Sequence, residues 1–152
     1  MLPAPGTGTA NAPTPNGEPA RVTAVMDGDT IEVELHGSRQ RVRYIGIDAP
    51  EYGQTCSAEA TQRNRALVAG KMVVLQKDVS ETDRYGRLLR YVWVGDEMVN
   101  ASLVRGGFAL AATFPPDVKH QRLFGQLEQQ ARQAGAGCWS LQAFATPLPW
   151  LQ

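Results

Sequence analysis

The sequence predicts an α+β fold that is mainly β: a five-stranded barrel of the OB type with three α-helices. Three observations carry that expectation. Several stretches alternate apolar with polar residues or are rich in Val, Ile and Tyr, as pleated half-buried strands require. Turn residues, among them Asp27-Gly28 and His36-Gly37-Ser38, punctuate the first three of these stretches. A helical pattern follows the third strand and further helices come later, an order that suits a small closed barrel.

Residues 21–26 and 30–35 flank Asp27-Gly28, a pairing that favours tight hairpins. Ile31, Val33 and Leu35 alternate with Glu32 and Glu34, which gives one buried and one wet face. Residues 39–47 read as the third strand. A helix fits 57–69, with Ser57 as N-cap, Glu59 and Arg63 paired at i,i+4, and Gly70 at its end. Strands follow at 71–77 and 87–94, then a short helix at 97–105 that stops at Gly106-Gly107. The last helix, 117–134, places Leu123, Phe124, Leu127, Ala131 and Ala134 on one face before Gly135.

With 152 residues the chain holds one domain with a real core. It is 43% hydrophobic and 20% charged, as soluble globular proteins are. The formal net charge is zero, so any binding to a polyanion must come from local arginine clusters, not bulk attraction. No run approaches the ~18 apolar residues of a membrane span. The first residues show neither a basic n-region nor an apolar h-region, so no intact export signal is read there. Residues 1–19 carry Pro3, Pro5, Pro13, Pro15 and Pro19, with Glu18 as the only charge, and are expected to be a disordered linker. The domain is expected over 20–140, followed by a C-terminal tail, 141–152, packed against it.

The two cysteines, Cys56 and Cys138, lack the spacing of a zinc site, and His36 and His120 do not complete one. They are either a disulfide in an exported protein or two reduced, partly buried thiols. Cysteine count alone does not choose between them.

Two acidic clusters, Asp27-Gly28-Asp29-Thr30 and Asp48-Ala49-Pro50-Glu51, bracket a strand carrying Arg39, Arg41 and Arg43 on one face. Hard oxygen ligands beside guanidinium groups are what a protein needs to hold a divalent cation against a phosphate. Taken alone, Asp27-Gly28-Asp29 is most often only a turn, and Arg39 and Arg41 only a solvated strand face. Read together, the carboxylates of Asp29 and Asp48 and the carbonyl of Ala49 can meet one cation, with Glu51 within reach of a water beside it. Pro50 holds Ala49 extended and so fixes that carbonyl's direction. Oxygen-only ligation favours calcium or magnesium over zinc. Asp83-Arg84-Tyr85-Gly86-Arg87 adds a second basic motif at a turn entering a strand.

Five runs together resemble the staphylococcal nuclease family over roughly residues 20–140. They are Val25–Ile31, Val42–Glu51, Asp83–Arg87, Met98–Val104 with Gly107, and Cys138-Trp139-Ser140. The resemblance implies an OB-fold barrel with three helices and a calcium-dependent nuclease acting on DNA and RNA. It implies Asp29, Asp48 and the Ala49 carbonyl as metal ligands, supported by Asp27 and Thr30. It makes Glu51 the water-orienting or general-base carboxylate, Arg43 and Arg87 the catalytic phosphate-binding arginines, and Arg84 and Tyr85 substrate contacts. Where the family has tyrosines near the substrate, this chain has Thr113 and Pro115. The loop from Glu51 to the first helix is also shorter than in the founding member. A Cys56–Cys138 bond would tie the tail to the barrel.

The expected protein is thus a monomer with a nucleic-acid substrate and no membrane partner, secreted or held in the periplasm or at the cell surface, with a cytoplasmic location as the other reading. Two rivals stand beside catalysis: a nuclease-like binding module that has lost activity, and an OB-fold single-strand binder built on aromatic platforms and basic grooves. Carboxylates clustered against a polyanion serve neither.

Overall fold

The computed structural model describes residues 16–144. Most of the expected linker and the end of the expected tail lie outside that range. Three antiparallel strands open the domain: β1 (Glu18–Val25), β2 (Thr30–Leu35) and β3 (Ser38–Tyr44). The first strand starts at Glu18, not Arg21, because Glu18 and Pro19 pair with Leu75 and Val74 of β5 (Met72–Gln76). A register shift between Val22 and Ala24 bends β1 so that it serves both β2 and β5. β5 pairs antiparallel with β6 (Leu88–Val94), and β6 returns to lie parallel to β3, Val42 opposite Leu88. That last pairing closes five strands into a barrel and leaves no exposed edge between β3 and β6. The expected α+β barrel with three helices is what the chain forms.

The core is the barrel's interior. Ile31 and Val33 of β2, Val42 and Tyr44 of β3, Leu75 of β5 and Tyr91 and Val92 of β6 are almost wholly buried. Glu32 and Glu34 pair outward with Arg41 and Arg39 across β2 and β3. Both arginines are exposed, and the Arg39 guanidinium lies 3.8 Å from Glu32, so they form the solvated face of the sheet.

Third-strand pairing ends at Tyr44 and does not run to residue 47. Gly46 turns the chain there with φ +80, and a Cβ at this position would come within 2.6 Å of the Phe124 ring. A two-residue strand β4 (Ile47–Asp48) then pairs with β8 (Leu110–Ala111). Glu97–Met98 forms β7 on the edge of β6, so α2 runs only over Val99–Arg105. Asn100 of α2, fully buried, explains the docking of that helix. Its Oδ1 accepts the Val92 N–H at 2.9 Å and its Nδ2 donates to the Ile45 carbonyl at 2.9 Å.

Helix α1 (Ser57–Val68) has Cys56, not Ser57, at its N-cap, in the left-handed region at φ 73 and with no side-chain cap. Cys56 is bonded to Cys138 (S–S 2.03 Å), a link across 82 residues from the start of α1 to the 3-10 turn Gly137–Trp139. Helix α3 (Gln121–Ala134) begins four residues later than expected, because 114–121 is spent on turns: Phe114 and Pro116 accept from Asp117 and Val118, and Val118 from Gln121. Its inner face is Phe124, Leu127 and Ala131, whereas Leu123 and Ala134 are exposed. No helix among the described residues is long and apolar enough to cross a membrane.

Candidate active site

The turn between β1 and β2 builds one half of the site. Met26 and Asp27 both donate to the Thr30 carbonyl, at 3.0 and 3.3 Å, and Asp27 Oδ1 accepts the Asp29 N–H at 2.9 Å. Aspartate suits such turns because its side chain bonds its own backbone two residues on. Asn64 of α1 anchors the turn from behind. Its Nδ2 donates to the Asp27 carbonyl at 2.9 Å, and its Oδ1 accepts the Tyr44 hydroxyl at 2.7 Å. Gly28 is the point of closest approach: a Cβ there would stand 2.7 Å from Ala49 Cβ and 2.9 Å from Ala60 Cβ. Only a hydrogen fits.

The loop leaving β4 builds the other half. The Ala49 N–H donates to Asp29 Oδ2 at 2.8 Å, joining residues 20 apart in sequence, and Thr30 Oγ1 donates to Asp29 Oδ1 at 3.2 Å. Arg43, near the end of β3, fixes its Nη1 on the carbonyls of Tyr44 (2.6 Å) and Ile47 (2.9 Å). Its Nη2 is left 3.4 Å from both Asp29 Oδ2 and Asp48 Oδ1. Two carboxylates from distant parts of the chain thus converge on one nitrogen. The Asp29 and Arg43 side chains are nearly buried, whereas Asp48 is 58% exposed. Burial pushes the Asp29 carboxyl up to about 6, against the pull of the Arg43 guanidinium and the Ala49 N–H. The neighbouring Asp27 charge pushes the same way as burial.

Carboxylates of Asp29 and Asp48 meet at one guanidinium, with the Asp27 charge close enough to act on Asp29, an excess of negative charge that a divalent cation would neutralise. No group of three or more His, Cys, Asp or Glu side chains has metal-holding geometry among the described residues. Two carboxylates with oxygen donors alone around them are the chemistry of a hard cation, which fills its remaining positions from carbonyl and water oxygens. It does not fit zinc, which wants imidazole or thiolate.

Glu51 lies three residues past Asp48 on an exposed loop. Its N–H donates to Gln54 Oε1 at 2.8 Å and its carbonyl accepts the Gln54 N–H at 2.9 Å, so the backbone that carries it is a closed turn.

The second basic motif is organised by Asp83. Oδ1 accepts the N–H groups of Tyr85 (2.9 Å) and Arg87 (3.0 Å), and Oδ2 accepts Arg87 Nε at 2.7 Å. Burial alone would raise this carboxyl, but the bonds from Arg87 and Tyr85 outweigh it and hold it below the usual range. Tyr85, largely exposed, lies under two guanidinium groups, Arg84 at 4.9 Å and Arg87 at 5.5 Å from its ring centroid. A cavity of about 450 Å³ runs between this motif and Arg43, with Leu89, Phe114 and Pro115 on its wall. Thr113 is exposed and outside that wall, so of the pair Thr113 and Pro115 the cavity takes only Pro115, with Phe114 beside it. Asp117 fixes the wall by accepting the N–H groups of Val79 (2.9 Å) and Ser80 (2.8 Å).

The structure thus brings Asp29, Asp48, Ala49, Arg43, Thr30 and Asp27 into one cluster. Arg84, Tyr85 and Arg87 stand across the adjoining cavity, and Glu51 stays on its exposed turn three residues past Asp48, bonded through its backbone to Gln54. Sequence reasoning missed Asn64 and Asp117. Asn64 was legible in part, since it falls on the same α1 stripe as Ala60 and Val68, where an apolar residue would be the default.

Comparison with known proteins follows the same lines. The family described as "Staphylococcal nuclease homologue" matches residues 41–141. The chain is 37% identical over 139 residues to the thermonuclease of Staphylococcus hyicus, spanning 88% of this chain and 80% of that protein. It is 37% identical over 133 residues to the thermonuclease of Staphylococcus intermedius, spanning 81% and 77%. It is also 35% identical over 129 residues to the SPbeta prophage-derived endonuclease YokF of Bacillus subtilis, spanning 80% of this chain and 44% of that protein. A carboxylate cluster with its guanidinium, set on a closed five-stranded barrel and matched across most of the chain, leaves one conclusion: the chain belongs to the staphylococcal nuclease family.

Proposed function

We propose that this protein is a calcium-dependent nuclease that hydrolyses phosphodiester bonds of DNA and RNA. The observation that carries the reading is the convergence of Asp29 and Asp48 on Arg43 Nη2, each at 3.4 Å, beside a cavity that holds Arg87. Relatives named thermonuclease and endonuclease support it.

Asp29, Asp48 and the Ala49 carbonyl are the residues that would hold calcium, with Asp27 and Thr30 fixing Asp29. Calcium held there would supply positive charge beside the phosphate and a site for water. The rest is done by the chain. Arg43 and Arg87 meet the scissile phosphate from either side of the cavity and stabilise charge that grows on its oxygens in the transition state. A guanidinium stays charged at any working pH, so both act as electrostatic clamps and not as proton donors. Glu51 orients the attacking water and accepts its proton; the water oxygen bonds to phosphorus, the ester P–O bond breaks, and the departing alkoxide takes a proton from solvent. Arg84 and Tyr85 hold the neighbouring nucleotide. The protein works as a monomer, and its disulfide suits an oxidising compartment, so we place it outside the cytoplasm, secreted or in the periplasm or cell surface.

Hydrolysis of denatured DNA by Glu51→Gln and Arg87→Ala tests these roles. Each variant is expected to lose about 100-fold or more in kcat while binding single strands nearly as the parent does. Full activity in both would remove the proposed site.

A further inference from the structure

A second cavity of about 420 Å³ adjoins the acidic cluster at Asp48 and Ala49, between the loop 50–55 and the C-terminal segment 142–144. Its wall includes Asp48, Pro50, Gln54, Thr55, Gln142 and Phe144. It exists because Cys56–Cys138 holds that segment beside the loop, with the Ala143 N–H also bonded to the Cys138 carbonyl at 3.1 Å. The first cavity meets the cluster through Arg43 and this one meets it through Asp48.

The chemistry of the two walls differs. The first carries Arg43, Arg84 and Arg87, the groups that meet phosphate. In the second, Asp48 is the only charged residue among the described residues of the wall; Gln54, Thr55 and Gln142 offer amide and hydroxyl groups, Phe144 an aromatic ring, and the remainder is small or apolar. Such a wall repels phosphate and suits a neutral nucleoside, whose base edges hydrogen-bond amides and whose face stacks on aromatics. Tyr52, between the wall residues Pro50 and Gly53, is 97% exposed, an aromatic ring with almost no protein cover.

We propose that this cavity, with Tyr52 at its loop, is a nucleoside subsite for the residue flanking the scissile phosphate on the side away from Tyr85. The proposal rests on the nuclease reading above: a strand whose phosphate sits at the cluster must leave it in both directions, and the two cavities provide the two exits.

Kinetics on single-stranded oligonucleotides with one cleavable linkage test it, using a full substrate and two analogues lacking the base on one or the other side of that linkage. Tyr52→Ala and Gln142→Ala are expected to raise KM about five- to tenfold on the full substrate with kcat held within about twofold. Tyr52→Phe is expected to restore KM. On one of the two base-free analogues both alanine variants should match the parent, because the contact is already gone. Unchanged KM on the full substrate, or a loss that persists on both analogues, overturns the subsite.

A binding measurement separates this from the nuclease reading itself. In chelator, a single-stranded tetranucleotide is expected to shift the backbone amide resonances of Gln54, Thr55 and Gln142 as well as that of Tyr85. Shifts confined to the Tyr85 side overturn the subsite whether or not the protein cleaves. Loss of cleavage in the parent, with shifts on both sides, overturns catalysis and leaves the subsite standing.

Discussion

The Ala49 N–H donates to Asp29 Oδ2 at 2.8 Å, and that one bond joins the hairpin turn to the loop that carries Asp48 and Glu51. It makes Asp29 both a structural acceptor and the most buried carboxylate of the cluster.

Burial makes Asp29 a liability to the metal-free fold. Its carboxyl is raised to about 6 by desolvation, above the ~3.9 of an unfolded aspartate, so the folded state binds the proton more tightly than the unfolded state does. The metal-free protein therefore loses stability as pH rises from about 4 to about 6 and stays at the lower level above that. Asp29→Asn removes this slope and is expected to be more stable by about 1–2 kcal/mol at pH 7.5 in chelator, while losing the cation. Urea unfolding at pH 4.5 and 7.5 checks the sign: the parent should gain on Asp29→Asn at the lower pH.

Gly28 sets how closely the two halves of the site meet. In Gly28→Ala the new Cβ would stand 2.7 Å from Ala49 Cβ and 2.9 Å from Ala60 Cβ, so the turn and the loop must part. A loss of about 1–3 kcal/mol in stability is expected, with a drop in calcium affinity read by calorimetry. Stability that falls with calcium affinity intact would mean that the two halves move together.

Asp83 holds Arg87 through two bonds, one to its backbone N–H and one to Nε. Asp83→Ala is expected to lower kcat about ten- to 100-fold by loosening Arg87, with KM changed less. Asp83→Asn, which keeps the acceptor for the Tyr85 and Arg87 N–H groups, should fall between. Steady-state rates on denatured DNA decide it: equal rates in all three proteins would detach Arg87's role from Asp83.

How much of this was legible beforehand follows from where each partner lies in the sequence. The hairpin at Asp27 and the acidic loop at Asp48 are local signals, written in turn residues and a Pro50 that sit together in the chain. Their meeting is not local. It depends on the parallel pairing of β3 with β6 and on Asn64 reaching the Asp27 carbonyl from α1, contacts between segments whose sequences do not mark each other. Element ends failed for a related reason. Ser57 looked like an N-cap by composition, but Cys56, tied to Cys138, takes that place. The last helix is expected from residue 117, whereas 114–121 forms turns and Asp117 is engaged with Val79 and Ser80. Phe114 rather than Thr113 on the cavity wall is again a matter of how those turns fall.

The disulfide closes a loop across 82 residues and ties both the start of α1 and the C-terminal segment. In the chain-entropy account a link of that span stabilises by roughly 4–5 kcal/mol. Reduction, or the double variant Cys56→Ala with Cys138→Ala, is expected to lower the urea midpoint accordingly. An unchanged midpoint would mean that the reduced chain keeps those segments together without the bond.

The central claim is that Asp29 and Asp48 hold a cation on which phosphodiester hydrolysis depends. The rate of denatured-DNA hydrolysis in calcium and in chelator, for the parent and for Asp48→Ala, tests it most directly. Activity in calcium, none in chelator, and a loss of about 1,000-fold or more in Asp48→Ala is the expected result. Hydrolysis at the full rate in chelator, or by Asp48→Ala in calcium, would contradict it.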